Sequence, residues 1–525
     1  MAAAVLVSDF PASELIRGLE EEFSLDQSED ALEVRTYRDT FDWGLHRAGL
    51  ALSTSPSGAL VRLTLEGGQG STSEILIPKV PLFFSDIPAS GLKDDLPPGA
   101  RLRRLFPQAK ASWRSVLVTI HEEGEAVLRL RLREGEAHLP DGSGEVNLGT
   151  RVEVFPLSGA GAEVRRIPPR LKKNLHLKKE KGKEVYAVYD AVGKKPGDYS
   201  SSFRLKLKPQ QQAGRAARRI HQELLRVLLA NQEGVTRDWD SEFLHDFRVA
   251  IRRTRTALRL LQGVFPQDAV DHFSREFRWL GLRTGTVRDL DVYLNRIPSY
   301  QAALDPSARA DLEPLIQLLL EKKRREHRRL RDCFRSKRFL RLISEWSAFL
   351  EKSAPKAKNP PQFRVPIQEV AFLAVRKAFN RVMKRAGKLG PEPSPEKLHR
   401  LRIDCKRLRY LLTFFRSLLP AESLPPFMKE LKRLQDRLGN LNDLHVQGTT
   451  LRTFAEELMD SHRPPPQTLL AMGQLLGQMR RSQEDDRAAL QEHIARFTQP
   501  KNQELFKKIL GGPSEKPPEG KKNTK

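Results

Sequence analysis

One pattern occurs twice in this chain, 154 residues apart, and it dictates an architecture before any other feature is considered. The first copy runs His245-Asp246-Phe247-Arg248-Val249-Ala250-Ile251-Arg252-Arg253-Thr254-Arg255. The second runs His399-Arg400-Leu401-Arg402-Ile403-Asp404-Cys405-Lys406-Arg407-Leu408-Arg409. The same offset carries Arg278 to Lys432, Arg283 to Arg437, Gly285 to Gly439, Asp289 to Asp443 and Val292 to Val446. A gapless match over about 50 residues implies a duplicated structural unit, and the duplicated chemistry is cationic.

Around these copies the texture is helical. Apolar residues recur with 3.6 periodicity over 213–232, 242–264, 268–296, 308–350, 365–389, 395–418, 424–458 and 466–496, separated by Pro- or Gly-containing breaks. Eight segments in two sets of four predict two duplicated four-helix bundles. Gly285 and Gly439 read as matching interruptions at which a helix bends or restarts. Residues 354–366 read as the connector between the halves, and 511–525, rich in Pro, Gly, Lys and Glu, as a disordered tail.

The first 170 residues read differently. Leu60–Leu65, Ser115–Ile120, Ala126–Leu132 and Arg151–Phe155 alternate apolar and polar side chains, which is the period of a half-buried strand. One helix is expected at Ala12–Glu22, with Pro11 near its start. Residues 171–206 read as a basic linker, with a short hairpin at Glu184–Tyr189. The fold class is therefore α+β multidomain, a mainly-β N-terminal domain followed by an all-α domain.

Charge divides the chain along the same line. Residues 1–160 hold 16 Lys+Arg against 24 Asp+Glu, a net of −8, and the remainder holds 75 against 42, a net of +33. The basic part calls for a polyanionic partner. No run of 18 apolar residues is present, so no membrane span is expected. The first ten residues lack the pattern of a signal peptide, and two cysteines, Cys333 and Cys405, build neither a disulfide framework nor a metal cluster. A reducing cytoplasm is the expected compartment, and Cys405 reads as a small core residue.

On a helix, His245, Arg248, Arg252, Arg255 and Arg259 follow 3-4-3-4 spacing and share a stripe about 80° wide. Leu244, Phe247, Ile251, Leu258 and Leu261 take the opposite side. The second copy repeats the stripe with His399, Arg402, Lys406 and Arg409, over a buried side of Leu401, Cys405, Leu408, Leu412 and Phe415. Like charges at i,i+4 destabilise a helix by a few tenths of a kcal/mol per pair. An anion with charge along its length would offset that cost, and one heptad advances the stripe by about 10 Å. Guanidinium forks suit phosphate oxygens, and an imidazole becomes a cation beside them. Asp289 and Asp443 read as groups that orient arginines or cap a helix. A further basic segment, Lys322–Arg338, has a counterpart near Arg480, Arg481 and Arg487 that is diluted by Glu484, Asp485 and Asp486.

At these residues the sequence resembles the CHAD family, the conserved histidine α-helical domain. The resemblance covers about residues 207–500, with repeats at 207–353 and 365–500, and includes Arg288-Asp289-Leu290-Asp291-Val292 and Asn442-Asp443-Leu444-His445-Val446. It implies two four-helix bundles with pseudo-twofold symmetry that bind inorganic polyphosphate. The residues it designates are His245, Arg248, Arg252, Arg253, Arg255, Arg259, Arg278, Arg283, Arg288, His399, Arg402, Lys406, Arg407, Arg409, Lys432, Arg433 and Arg437.

The N-terminal half, through Arg38-Asp39-Thr40-Phe41-Asp42-Trp43-Gly44-Leu45-His46, resembles a degenerate CYTH domain, the triphosphate-tunnel fold. Members of that family open on a strand bearing Glu-x-Glu-x-Lys, whose carboxylates hold a metal. Here Ala2–Ser8 stands in that place with no carboxylate, Ser53-Thr54-Ser55 stands where arginines are usual, and Glu153 is a lone acid on a late strand. The expectation is a catalytically silent half, with no metal and no cofactor, that serves as a scaffold or a surface for a protein partner. The chain as a whole is expected to bind polyphosphate on cytoplasmic polyphosphate granules. The alternatives are triphosphatase or cyclase activity in the N-terminal half, and nonspecific nucleic-acid binding. The stripes carry no aromatic platform for bases and few Asn or Gln to read their edges. A zinc site on His245 and His399 lacks ligands at the needed spacing.

Overall fold

The computed structural model describes residues 4–67, 71–88, 97, 101–122, 124–157, 177–179, 182–351, 360–390 and 393–511. They form two compact units that divide after Ser201.

The N-terminal unit is built on one antiparallel sheet of nine strands in the order β5-β4-β3-β2-β6-β7-β8-β1-β9. The strands are β1 (Ala4–Ser8), β2 (Ser24–Thr40), β3 (Ala51–Ser57), β4 (Leu60–Glu66), β5 (Thr72–Ile77), β6 (Leu105–Glu122), β7 (Glu125–His138), β8 (Glu145–Pro156) and β9 (Lys178–Lys179). Alternation decides the faces. Val118, Ile120, Leu128, Leu130, Leu132, Val152 and Val154 pack against α1 (Ala12–Glu20), whose first turn follows Pro11 as expected. The intervening residues, Arg133, Arg151 and Glu153 among them, face the other way. On that second face Trp113 packs with Tyr37, Trp43 and the apolar side of α3 (Glu184–Ala191). The Trp113 indole fills the space over Gly135, where an added Cβ would lie 2.4 Å from the ring.

The Arg38–His46 stretch runs from the end of β2 through a tight turn into a short helix. Asp39 accepts from the backbone N–H groups of Thr40, Leu45 and His46 at 2.7, 2.9 and 2.9 Å, and so anchors the short helix α2 (Gly44–Arg47). Burial nonetheless raises its carboxyl to about 6.

Two expectations fail here. Residues 171–206 are not a linker throughout, because Lys178–Lys179 pair with β1 and α3 belongs to the N-terminal core. Glu184–Tyr189 is helical rather than a hairpin, because Val185, Val188 and Tyr189 bury at helical spacing. Residues 171–176 lie outside the described residues, as do 354–359 of the expected connector and 512–525 of the expected tail.

The C-terminal unit is helical: α4 (Ala213–Arg237), α5 (Ser241–Leu260), α6 (Gln267–Arg283), α7 (Gly285–Ala302), α8 (Glu313–Arg335), α9 (Lys337–Glu351), α10 (Ile367–Ala386), α11 (Pro395–Phe414), α12 (Leu424–His462), α13 (Pro466–Thr498) and α14 (Pro500–Ile509). The duplication appears as contacts that map onto themselves. Ala213 N donates to Val365 O and Ile367 N to Gln211 O, both at 2.8 Å, and the 154-residue offset exchanges the two bonds. Tyr293 meets the Phe454 ring, and Tyr300 donates to Gln447 at 3.1 Å, which is the same pair exchanged. Such reciprocity is the mark of a twofold axis. Around it the ends of α7, α8, α12 and α13 share one core.

The two repeats differ in their breaks. Repeat one stops at Thr284, where Arg248 Nη1 donates to Gly281 O at 2.8 Å and to Thr284 Oγ1 at 2.9 Å. A side chain inserted into the helix ladder ends α6, and α7 restarts at Gly285. Repeat two has Gln435 and Leu438 at the matching positions, and Arg402 turns to Asp443 instead. Gly439 is therefore not an interruption: α12 passes through it unbroken. The expected single segment 308–350 is likewise cut at Ser336, whose hydroxyl accepts from Phe339 N at 3.3 Å.

Candidate anion-binding site

Each stripe sits on a helix held from behind by its apolar face. Leu244, Phe247, Ile251 and Leu258 of α5 are buried, as are Leu401, Cys405, Leu408 and Leu412 of α11. Asp240 caps α5 by accepting from Glu242 N at 2.9 Å, and Ser394 accepts from Lys397 N at 3.5 Å on α11. Burial pushes the Cys405 thiol up to about 12, as expected of an inert core cysteine.

The two stripes converge at the axis. Arg252 and Lys406 are equivalent by the offset, and each falls within the other's field. Partial burial, then the guanidinium groups of Arg402 and Arg252, then Arg409, lower the Lys406 ammonium to about 8 against the weaker attraction of Asp443. Three guanidinium groups around one ammonium leave excess positive charge at the centre of the unit.

In repeat one the histidine is fixed in role. Arg288 Nη2 lies 2.9 Å from His245 Nδ1, while Arg288 Nη1 donates to Ser241 O at 2.8 Å and pairs with Glu242 at 3.3 Å. Guanidinium only donates, so Nδ1 accepts and the imidazole proton resides on Nε2. Burial, and then Arg288, keep His245 below its ordinary value. Asp289 lies in the field of Arg248 and Arg288, yet burial holds its carboxyl above the usual range. Repeat two places Asn442 where Arg288 stands. Its histidine, His399, is exposed.

The repeats also differ in how their cations are balanced. In repeat two Arg402 pairs with Asp443 at 3.0 Å, Arg407 with Asp404 at 3.1 Å, Lys432 with Asp436 and Arg433 with Glu430 at 2.6 Å each, and Arg437 with Asp486 at 2.6 Å. In repeat one Arg252, Arg255, Arg259 and Arg278 form no ion pair among the described residues. Arg255 is depressed first by burial and then by Arg259 and Arg278. Arg283 lies near Cys333. Arg253 leaves the stripe and turns toward Tyr410 and Arg409, largely buried. Of the seventeen residues designated from sequence, Arg252, Arg402, Lys406 and Arg409 meet at the axis, and Arg248, in the field of Arg252, is held against Gly281 and Thr284. Arg255, Arg259 and Arg278 extend the field along repeat one. Lys432, Arg433 and Arg437 are tied to acids of their own. Sequence reading missed Lys377 and Arg381, which approach Arg259 and Arg407 from α10. Their one available signal was an i,i+4 cation pair facing Glu223 and Val227 in the other repeat.

Arg35, Arg133 and Arg151 of the N-terminal sheet are paired internally. Glu184 is 4% exposed. It meets Arg133 at 2.7 Å, Arg151 at 3.3 Å and Arg35 at 3.5 Å, and it accepts from the Tyr37 hydroxyl. Burial alone would raise its carboxyl, but Arg133, Arg151 and Arg35 outweigh it and hold it low. Glu33 and Glu153 pair with Arg133 at 3.4 Å each. Among the described residues no group of three or more His, Cys, Asp or Glu is arranged to hold a metal ion, and no helix is long and apolar enough to cross a membrane.

Comparison with known proteins finds likenesses to parts of the chain. Residues 219–452 match the CHAD domain. Two uncharacterized proteins of Mycobacterium tuberculosis, from strains CDC 1551 and H37Rv, are each 27% identical over 240 residues, 45% of this chain and 44% of theirs. The match thus spans less than half the length of these curated relatives. Among solved structures, the CHAD domain from the plant Ricinus communis is similar at 25% identity and a TM-score of 0.47, over 57% of this chain and 97% of that one. PptA from Streptomyces chartreusis is similar at 16% identity and 0.43, over 54% and 99%. HpAC1 from Hippeastrum, described as an adenylyl cyclase with a dominant triphosphatase activity, is similar at 16% identity and 0.25, over 37% and 97%.

Proposed function

We propose that the CHAD domain at residues 219–452 binds inorganic polyphosphate without catalysis, and that this binding recruits the chain to polyphosphate granules. The observation that carries the reading is the convergence of Arg252, Lys406, Arg402 and Arg409 at the axis, where burial and then the neighbouring guanidinium groups lower the Lys406 ammonium to about 8. Such a cluster carries uncompensated positive charge. Phosphate oxygens compensate it and relieve the repulsion among the cationic groups. Both helices supply equivalent groups, so a chain of repeating phosphates can be held from both sides. Arg255, Arg259 and Arg278, which form no ion pair among the described residues, continue the track along repeat one. Releasing counterions from each neutralised phosphate makes the binding salt-dependent.

The N-terminal unit acts as a scaffold or partner surface in this reading. Arg35, Arg133 and Arg151 are paired with Glu184, Glu33 or Glu153, and β1 offers no carboxylate. A triphosphatase would need both a free cationic wall and a metal-binding acid pair.

The test is equilibrium binding of long-chain polyphosphate to the full chain and to Arg252→Gln/Lys406→Gln. The reading expects at least a tenfold loss in the double variant with an unchanged melting temperature. Undiminished affinity refutes it. Metal-dependent release of phosphate from tripolyphosphate by the wild-type chain would refute the non-catalytic part.

A further inference from the structure

A cleft of about 170 Å³ lies between the end of α5 and the helices α10 and α11, lined by nine residues, among them Arg259, Gln262, Lys377, Arg381, Asp404 and Arg407. A water's share of liquid volume is about 30 Å³, so the space admits a group larger than a simple ion. Four of the nine are cationic. The one acid, Asp404, is 2% exposed and already committed to Arg407 at 3.1 Å and Arg385 at 2.6 Å. It closes the inner end and holds the Arg407 guanidinium in place. Arg259, Lys377 and Arg381 form no ion pair among the described residues.

The duplication makes this cleft informative. A cation present in both repeats can be a relic of the ancestral unit. Here the symmetry-related positions carry Thr413 for Arg259, Glu223 for Lys377, Val227 for Arg381 and Ala250 for Asp404. Of the four cations only Arg407 has a basic counterpart, Arg253, while Gln262 is matched by Arg416. This set of cations is therefore peculiar to one side of the duplication. Arg259 is also the last residue of the α5 stripe, two turns beyond Arg252, or about 10 Å along the helix. The cleft thus terminates the track that starts at the axis.

A linear polyphosphate has two kinds of phosphate. An interior one carries a single charge and two bridging oxygens. A terminal one carries up to two charges near neutral pH, as a phosphate monoester does, and three free oxygens. An open stripe suits the first kind. A cleft rimmed by guanidinium and ammonium donors suits the second. We infer that the cleft formed by Arg259, Lys377, Arg381 and Arg407 captures the terminal phosphate of a linear polyphosphate whose body lies on the α5 stripe. The inference rests on the polyphosphate reading above. It adds a chain-end preference, and with it tighter binding of short linear chains than the stripe alone gives.

The experiment compares three full-length proteins: wild type, Lys377→Gln/Arg381→Gln, and Arg252→Gln/Lys406→Gln. The probes are a short linear polyphosphate, a cyclic metaphosphate without ends, and long-chain polyphosphate. Lys377 and Arg381 are exposed, so their replacement leaves the core untouched, which a melting curve checks. The cleft variant is expected to lose about tenfold in affinity for the short linear chain. It should retain its affinity for the cyclic probe and lose less than threefold for long chains, where ends are rare. Equal losses for linear and cyclic probes, or no loss for the linear one, overturn the end-capture inference. Loss of neither long-chain nor short-chain binding in Arg252→Gln/Lys406→Gln would instead refute the underlying polyphosphate reading.

Discussion

Lys406 supplies a proton-linked test of the central cluster. Its ammonium is lowered to about 8 by burial, by Arg402 and Arg252 and by Arg409, against Asp443. At pH 7 it is charged before any ligand arrives. At pH 9, one unit above its value, only about one-tenth of free protein carries the proton. A phosphate oxygen beside it favours the charged form, so binding at pH 9 must take up nearly one proton while binding at pH 7 takes up almost none. Affinity for polyphosphate should therefore fall by about tenfold, ~1.4 kcal/mol, between pH 7 and pH 9. His245 is held below its ordinary value and does not titrate in this window. The assay is a titration calorimetry series in two buffers of different ionisation enthalpy, which counts protons directly. Lys406→Arg keeps its charge throughout and should bind with a flat profile from pH 7 to pH 9. A flat wild-type profile, or the same slope in Lys406→Arg, would refute the reasoning.

Three further outcomes follow from single contacts. Gly234→Ala, which in an exposed helix would stabilise by up to ~1 kcal/mol, should here destabilise the helical unit by about 1–3 kcal/mol in urea unfolding, because the added Cβ would lie 2.2 Å from Phe243. Glu184→Gln should destabilise the N-terminal unit by about 3 kcal/mol, since it removes the buried carboxylate charge that Arg133, Arg151 and Arg35 share. In the wild type the Glu184 carboxyl is depressed, so its contribution is present at neutral pH and disappears as pH falls below about 4, which acid titration of the melting temperature reads out. Arg288→Ala should raise the titration midpoint of His245, measured by NMR, because it removes both the nearby positive charge and the bond donated to Nδ1.

The sequence made the helical unit legible because a stripe and its buried opposite face are both periodic, and because a repeat checks each assignment against another. Four strands of the sheet, β4, β6, β7 and β8, announced themselves by alternation in the same way. What stayed hidden depends on contacts distant in sequence. The break at Thr284 comes from Arg248 reaching across from another helix, and no glycine rule separates Gly285 from Gly439. Glu184–Ala191 looked like a connector because its apolar residues make sense only against Tyr37 and Trp113. The pairing of Lys432, Arg433 and Arg437 with Asp436, Glu430 and Asp486 was equally out of reach, since a composition shows that acids exist but not which cations they neutralise. Lys377 and Arg381 were missed because the repeat comparison rewards what recurs, and these two do not.

The central claim is tested most directly by competition between long-chain polyphosphate and single-stranded DNA of equal charge. It is run at about 0.3 M salt, where the Debye length is well under 10 Å. Wild type is compared with Arg248→Ala/Arg252→Ala/Arg402→Ala/Lys406→Ala. The account predicts that wild type retains polyphosphate in preference to DNA and that the quadruple variant loses this preference while remaining folded. Equal binding of both polymers that salt abolishes, and that the four substitutions leave unchanged, would contradict it.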